Sequence, residues 1–169
     1  KHIVTNGSFS FNLARAFTRL KAIYFVTVSA ASFNQGTEFV GRTNGDFVGG
    51  RTDVMNFHLQ VGSERFPGQP APGVAEHYYR LMQALGKDLD HDSSSLDPTR
   101  FMADKSVYAI NLERAANEAA FSGISTMEGK TLTLTVNNAF TGNNVHNVYV
   151  FQVADFLANI RKGAVDIHE

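Results

Sequence analysis

Six histidines, His2, His58, His77, His91, His146 and His168, are the side chains best suited to chemistry in this chain, and none stands two or four positions from another. A zinc or iron centre needs ligands that converge on one point, which His-x-His or His-x-x-x-His spacing supplies. Solvated surface histidines are therefore the favoured reading, and no metal is expected. Carboxylates offer a second chemistry. Glu64, Glu76, Asp88, Asp90, Asp92 and Asp97 fall mostly in loops or on the polar side of a helix, whereas a glycosidase needs two carboxyls about 5–10 Å apart across a groove. A solvated acidic loop over Asp88–Asp97 is favoured instead. As a calcium loop, Asp88-Leu89-Asp90-His91-Asp92-Ser93 lacks the sixth-position glycine and the distal glutamate.

Nucleophiles fare no better. Phe121-Ser122-Gly123-Ile124-Ser125 lacks the first glycine of a Gly-x-Ser-x-Gly elbow, so Ser122-Gly123 reads as a turn. There is no cysteine, hence no thiol nucleophile, disulfide or Cys-ligated zinc. The five glycines of Ala30–Arg51 do not form the Gly-x-x-x-x-Gly-Lys-Ser/Thr pattern of a phosphate-cradling loop. Arg114, Arg161 and Lys162 are isolated cations expected to pair with local carboxylates. No catalytic residue and no cofactor is expected.

The elements that would position such residues belong to a globular chain: 169 residues, 43% hydrophobic and 18% charged, fit a single domain with one core. Fourteen Phe and five Tyr with no Trp supply the bulky volume that suits the interior of a β-sandwich. The net charge of -1 comes from 15 basic and 16 acidic residues with no basic run longer than two, so a nucleic-acid backbone is not an expected partner. No apolar run reaches the roughly 18 residues of a membrane span. The chain opens at Lys1, not Met, and enters strand-like sequence at once; it is expected to be part of a longer one.

Alternation dominates the pattern. Ser8–Leu13 sets Phe9, Phe11 and Leu13 on one face, and Leu20–Ser29 sets Ile23 and Phe25 against Ala22, Tyr24, Val26 and Val28 as a long strand expected to be central. Ala30–Arg51 is a long Gly-rich excursion. Val54–Val61 points Met55, Phe57, Leu59 and Val61 inward and Asn56, His58 and Gln60 outward. Pro67, Pro70 and Pro72 then deny the sheet its donors, which predicts an extended connector. Val74, Tyr78, Leu81, Met82 and Leu85 make one stripe of a helix over Val74–Leu85, with Gly86 as its C′ residue. Pro98 opens a short helical turn through Met102. Strands follow at Val107–Leu112, Thr131–Val136 and Val145–Val153, and Phe156–Arg161 with Gly163–Glu169 close the chain in further sheet. The segment Val148–Val153 is apolar on both faces up to Gln152, as in a strand covered from two sides. Seven or eight strands, long connections and no βαβ unit predict an all-β fold: an antiparallel eight-stranded jelly-roll sandwich with one inserted helix. Metal-binding jelly-roll enzymes of the cupin type are set aside for want of their histidine motif.

The order of these features resembles a known family. The amphipathic strand, the Phe66-Pro67-x-x-Pro70 connector, the helix bearing Tyr78 and Tyr79, Val107–Leu112, Ser122-Gly123 and Gly129-x-x-Leu132-x-Leu134 are together similar to the C-terminal jelly roll of the double jelly-roll major capsid proteins of icosahedral DNA viruses. Leu157-Ala158-Asn159-Ile160-Arg161 and Gly163-Ala164-Val165-Asp166-Ile167 are similar to the ends of capsid proteins from aquatic viruses. The resemblance covers roughly Val54 to Glu169. Double-barrel proteins are more than twice this length, so a partner jelly roll would precede Lys1 or this is a single-barrel relative.

What the resemblance implies is a structural protein of the virion, not an enzyme. It would assemble with copies of itself into homotrimeric capsomers, meet capsomer neighbours and other capsid proteins, and use Phe66, Pro67, Pro70, Tyr78, Tyr79 and Arg161 as assembly and connector residues. The connections Ala30–Arg51 and Leu85–Arg100 would project from the barrel ends. Two rival readings stand beside it: a carbohydrate-binding, lectin-like β-sandwich using loop aromatics and Asn/Asp side chains, and a hydrolase with two carboxylates across a cleft.

Overall fold

The computed structural model describes residues 1–29, 55–69, 72–86, 98–103, 106–113, 122–127, 129–139, 145–155, 157–161 and 164–168. The excursion over 30–51, Pro70, the acidic loop over 88–97, and His91, Arg114 and Lys162 lie outside the described residues.

Among the described residues ten strands and two helices follow one another as β1 (His2–Val4), β2 (Phe9–Asn12), β3 (Leu20–Ser29), β4 (Asn56–Val61), β5 (Glu64–Phe66), α1 (Val74–Ala84), α2 (Pro98–Ala103), β6 (Tyr108–Asn111), β7 (Leu132–Asn137), β8 (His146–Ala154), β9 (Leu157–Arg161) and β10 (Ala164–His168). Two four-stranded antiparallel sheets have the orders β1-β8-β3-β6 and β2-β7-β4-β5, and β9 and β10 pair in a third, two-stranded sheet. The strand pairs nest: β1 with β8, β2 with β7, β3 with β6, β4 with β5. Contacts β3–β8 and β4–β7 complete the sheets. A ribbon of four nested pairs rolled into two sheets is the eight-stranded jelly roll.

Local sequence explains the elements. In β4 and β7 every second residue is apolar, and Phe57, Leu59 and Val61 oppose Val136, Leu134 and Leu132 in the ladder. All six are buried, the outcome that period-two alternation predicts for a half-covered strand. β3 is central, as its apolar length foretold, with β8 on one side and β6 on the other. β5 stops at Phe66 because Pro67 follows, joined by a cis peptide bond. The three-residue strands β1 and β5 are too short for alternation to reveal them.

The sheets face each other across an aromatic interior. Phe25 of β3 meets Phe57 of β4 edge-on at 5.0 Å and stacks on Tyr108 of β6 at 5.2 Å. Side chains of this size stabilise by about 1.5–3 kcal/mol each when fully buried. Helix α1 closes the flank beside β6, laying Leu81 and Met82 into the core while Val74 and Tyr78 pack at its border. Gly86, at φ 66, donates its N–H to the Gln83 carbonyl at 3.1 Å and ends the helix as a C′ glycine. Leu85 departs from its place in the expected stripe: the helix ends at Ala84, and Leu85 turns 47% exposed at the C-cap. In α2, Phe101 is buried against Tyr78 and Tyr108 at 5.8 and 6.0 Å, and the Ser106 hydroxyl donates to its carbonyl at 2.6 Å.

Candidate assembly surface

The histidines are where the structure most corrects the sequence. His77 and His146 are each 1% exposed, not solvated. His77 lies among rings, 5.0 Å from Phe57 and edge-on to Tyr108 at 5.5 Å. The physical reason is position: His77 falls three residues after Val74 and four before Leu81, on the buried side of α1, and a flat imidazole fits an aromatic cluster. His2 stacks on Phe11 at 3.8 Å, bridging the flank between the two sheets. His58 is half-buried on the outer side of β4, its Nδ1 3.1 Å from Nη2 of Arg65. Burial first, and the Arg65 charge second, hold its pKa below the ordinary 6.5. Among the described residues no three His, Asp or Glu side chains converge as a metal site.

The carboxylates are likewise dispersed. Glu64 lies in β5, and Glu76 pairs with Arg80 one helical turn on, at 2.7 Å. A polar knot that sequence spacing gave no means of finding joins three strand ends. Lys21 Nζ sits 3.1 Å from Glu113 Oε1 and 3.3 Å from Asp155 Oδ2. The Ser122 hydroxyl donates to the same Glu113 oxygen at 3.0 Å. The Glu113 hydrogen bond, and then Asp155, raise the Lys21 pKa above 10.5 against the opposing effect of burial. Lys21 is thus a protonated anchor for β3, the end of β6 and the end of β8, not a base.

The expected assembly and connector residues sit on separate elements. Phe66 ends β5, and both it and Pro67 are half-buried. Tyr78 packs against the core, while Tyr79 beside it is 52% exposed. Arg161 ends β9 opposite Ala164, its side chain outside what is described, as is Pro70.

What the fold brings together instead is two unlike outer faces. On the β2-β7-β4-β5 sheet the outward residues are polar and bond one another: Ser10 with Thr135 at 3.0 Å, Thr133 to Asn12 at 2.7 Å, and Asn137 to Asn56 at 3.0 Å. On the β1-β8-β3-β6 sheet they are mostly apolar, with Asn111 and Asn147 as exceptions. Cross-strand partners Tyr24 and Phe151, Ala22 and Val153, and Val26 and Tyr149 all lie on the side away from the core residues Ile23 and Phe25. Ala22, Val26 and Val28 are buried there, but Phe151 is 51%, Val153 44% and Ile3 67% exposed. The two-sided apolar pattern of β8 therefore has its inner cover over Val148 and, among the described residues, lacks an outer one along Phe151 and Val153.

No family model matches the chain, and no curated protein sequence matches it. Among the described residues no helix is long and apolar enough to cross a membrane. The class that the fold defines is the all-β, antiparallel jelly-roll sandwich with an inserted helix.

Proposed function

We propose that this jelly roll is a structural subunit of an icosahedral viral capsid, built to associate with copies of itself in trimeric capsomers within the virion. Eight-stranded jelly rolls serve in viral capsids, in lectins and in cupins, so the fold alone does not choose among them. The observation that favours assembly is the apolar outer face at Phe151, Val153 and Ile3. An antiparallel sheet facing water alternates apolar-in and polar-out, as the opposite sheet of this molecule does, and large apolar side chains exposed on one sheet face support an interaction surface there. The sugar-binding reading is less favoured. On the polar face Ser10, Asn12, Asn56, Thr133, Thr135 and Asn137 already engage one another, and no aromatic ring lies among those six to stack on a sugar.

Sedimentation velocity over a concentration series, followed by electron microscopy of the heaviest species, tests this. The expected result is reversible association to trimers that look six-sided in projection. A monomer at every concentration would end the proposal.

A further inference from the structure

Between β1 and β2 the chain reads Thr5-Asn6-Gly7-Ser8, and no other asparagine of the sequence has serine or threonine two positions on. Asn-x-Ser, with x other than proline, is the acceptor pattern for an N-linked oligosaccharide, a bulky and hydrated group that belongs on a surface loop. Gly7 suits such a loop because it places no side chain between the asparagine and the serine. A pattern of three residues recurs by chance, so its place in the fold decides whether a sugar fits there.

That place is favourable. Thr5, Asn6 and Ser8 are exposed, while Gly7 between them is buried, its carbonyl accepting the Ala139 N–H at 2.8 Å. The Ser8 hydroxyl accepts the Asn138 N–H at 3.1 Å, so the turn is seated against the residues that follow β7. Within the turn Asn6 Oδ1 accepts the Ser8 N–H at 3.2 Å. The carbonyl corner of the exposed amide is thereby engaged, and Nδ2, its other corner, is the atom left for a glycosidic bond. A sugar on Nδ2 breaks none of these three contacts. The attachment point is also separate from the apolar face. β1 runs into the turn from Val4, which stands opposite His146 at the start of β8. Phe151 and Val153 lie farther down β8, roughly 17–23 Å from His146 at about 3.3 Å per residue.

We infer that Asn6 is an acceptor site for an N-linked oligosaccharide. In the transfer a bond forms between Asn6 Nδ2 and C1 of the first sugar, and the bond from C1 to the pyrophosphate of a polyprenyl-linked oligosaccharide donor breaks. One Nδ2 proton passes to a base of the transferase, the pyrophosphate departs with the bonding electrons, and nothing is oxidised or reduced. The chain meets that donor during synthesis, before the Ser8 hydroxyl is engaged by Asn138. Once folded, the molecule carries the glycan on the barrel end that holds the β1–β2 turn. The site stands whether or not the chain self-assembles.

The test expresses the full chain behind a cleavable secretory leader in yeast and maps its peptides by mass spectrometry, before and after treatment with a peptide N-glycosidase. Total cell protein is read as well as secreted protein, because attachment precedes folding and a variant that fails to fold still reports its occupancy. The wild type is expected to carry a peptide with N-acetylhexosamine and hexose on Asn6, which the glycosidase converts to aspartate with a gain of one mass unit. Asn6→Gln and Ser8→Ala should abolish the glycan, and Ser8→Thr, which keeps the hydroxyl, should retain it. A wild-type chain that has lost its leader yet leaves Asn6 bare overturns the inference. So does a glycan that persists in Asn6→Gln or in Ser8→Ala.

Discussion

Phe151 stands directly across the β8–β3 ladder from Tyr24, and the two share a face but not a fate. Tyr24 is half-buried, its hydroxyl donating to the Ala84 carbonyl at the end of α1 at 2.8 Å. Phe151 is 51% exposed and has no such cover among the described residues. The boundary between the two marks where the described residues stop covering the outer side of this sheet.

That boundary can be probed without disturbing the core. Phe151→Thr puts a β-branched residue, which suits a strand, in place of the ring. Association is expected to weaken by roughly 10- to 100-fold, the share of a buried aromatic, with folding stability changed by only about 0.5 kcal/mol as for other surface substitutions. Sedimentation and a thermal melt on the same sample read the two separately.

Gly123 is expected to be intolerant of any side chain. Its φ is +128, and a Cβ there would meet the Leu20 carbonyl oxygen at 3.0 Å. The adjacent Leu20 and Ile124 exchange both backbone hydrogen bonds at 2.9 Å, so the contact cannot relax by moving one strand end alone. Gly123→Ala should cost about 1–3 kcal/mol, measurable by urea denaturation. An unchanged midpoint would show that the close approach is absent.

The Lys21 knot predicts a loss of stability in alkali. Its folded pKa lies above 10.5, chiefly through the Glu113 hydrogen bond. A raised pKa stabilises fully below the unfolded value and is lost as pH rises through the folded one. The melting-temperature difference between the wild type and Lys21→Met should therefore be constant up to about pH 10 and shrink above it. A difference that grows with alkali would assign the lysine another role.

His58 predicts the opposite edge of the pH profile. Its pKa is depressed below 6.5 by burial and by Arg65, so its contribution is present above 6.5 and lost as pH falls through the folded value. His58→Gln should flatten the acid side of the stability curve. Arg65→Met should move the His58 titration upward in an NMR pH series; no movement would exclude the pairing at 3.1 Å.

Much of the fold was legible along the chain because burial imposes a local period. Met55, Phe57, Leu59 and Val61 announced β4 and its inner face, Val74, Tyr78, Leu81 and Met82 announced α1, and Pro67 marked the end of a sheet. The count of strands and the absence of βαβ units were enough for the jelly-roll class. What alternation cannot say is which strand lies beside which, since pairs such as Ser10 and Thr135 are 125 residues apart.

Those long-range pairings decided the remainder. They buried His77 and His146, drew Lys21, Glu113, Ser122 and Asp155 into one knot, and set a polar face on one sheet against an apolar face on the other. A residue's own type and its near neighbours determine whether it belongs to a strand or helix and which side it turns to the core. Only the closing of the sheets determines what stands opposite it, and hence that Tyr24 is half-buried while Phe151, across the ladder from it, is 51% exposed.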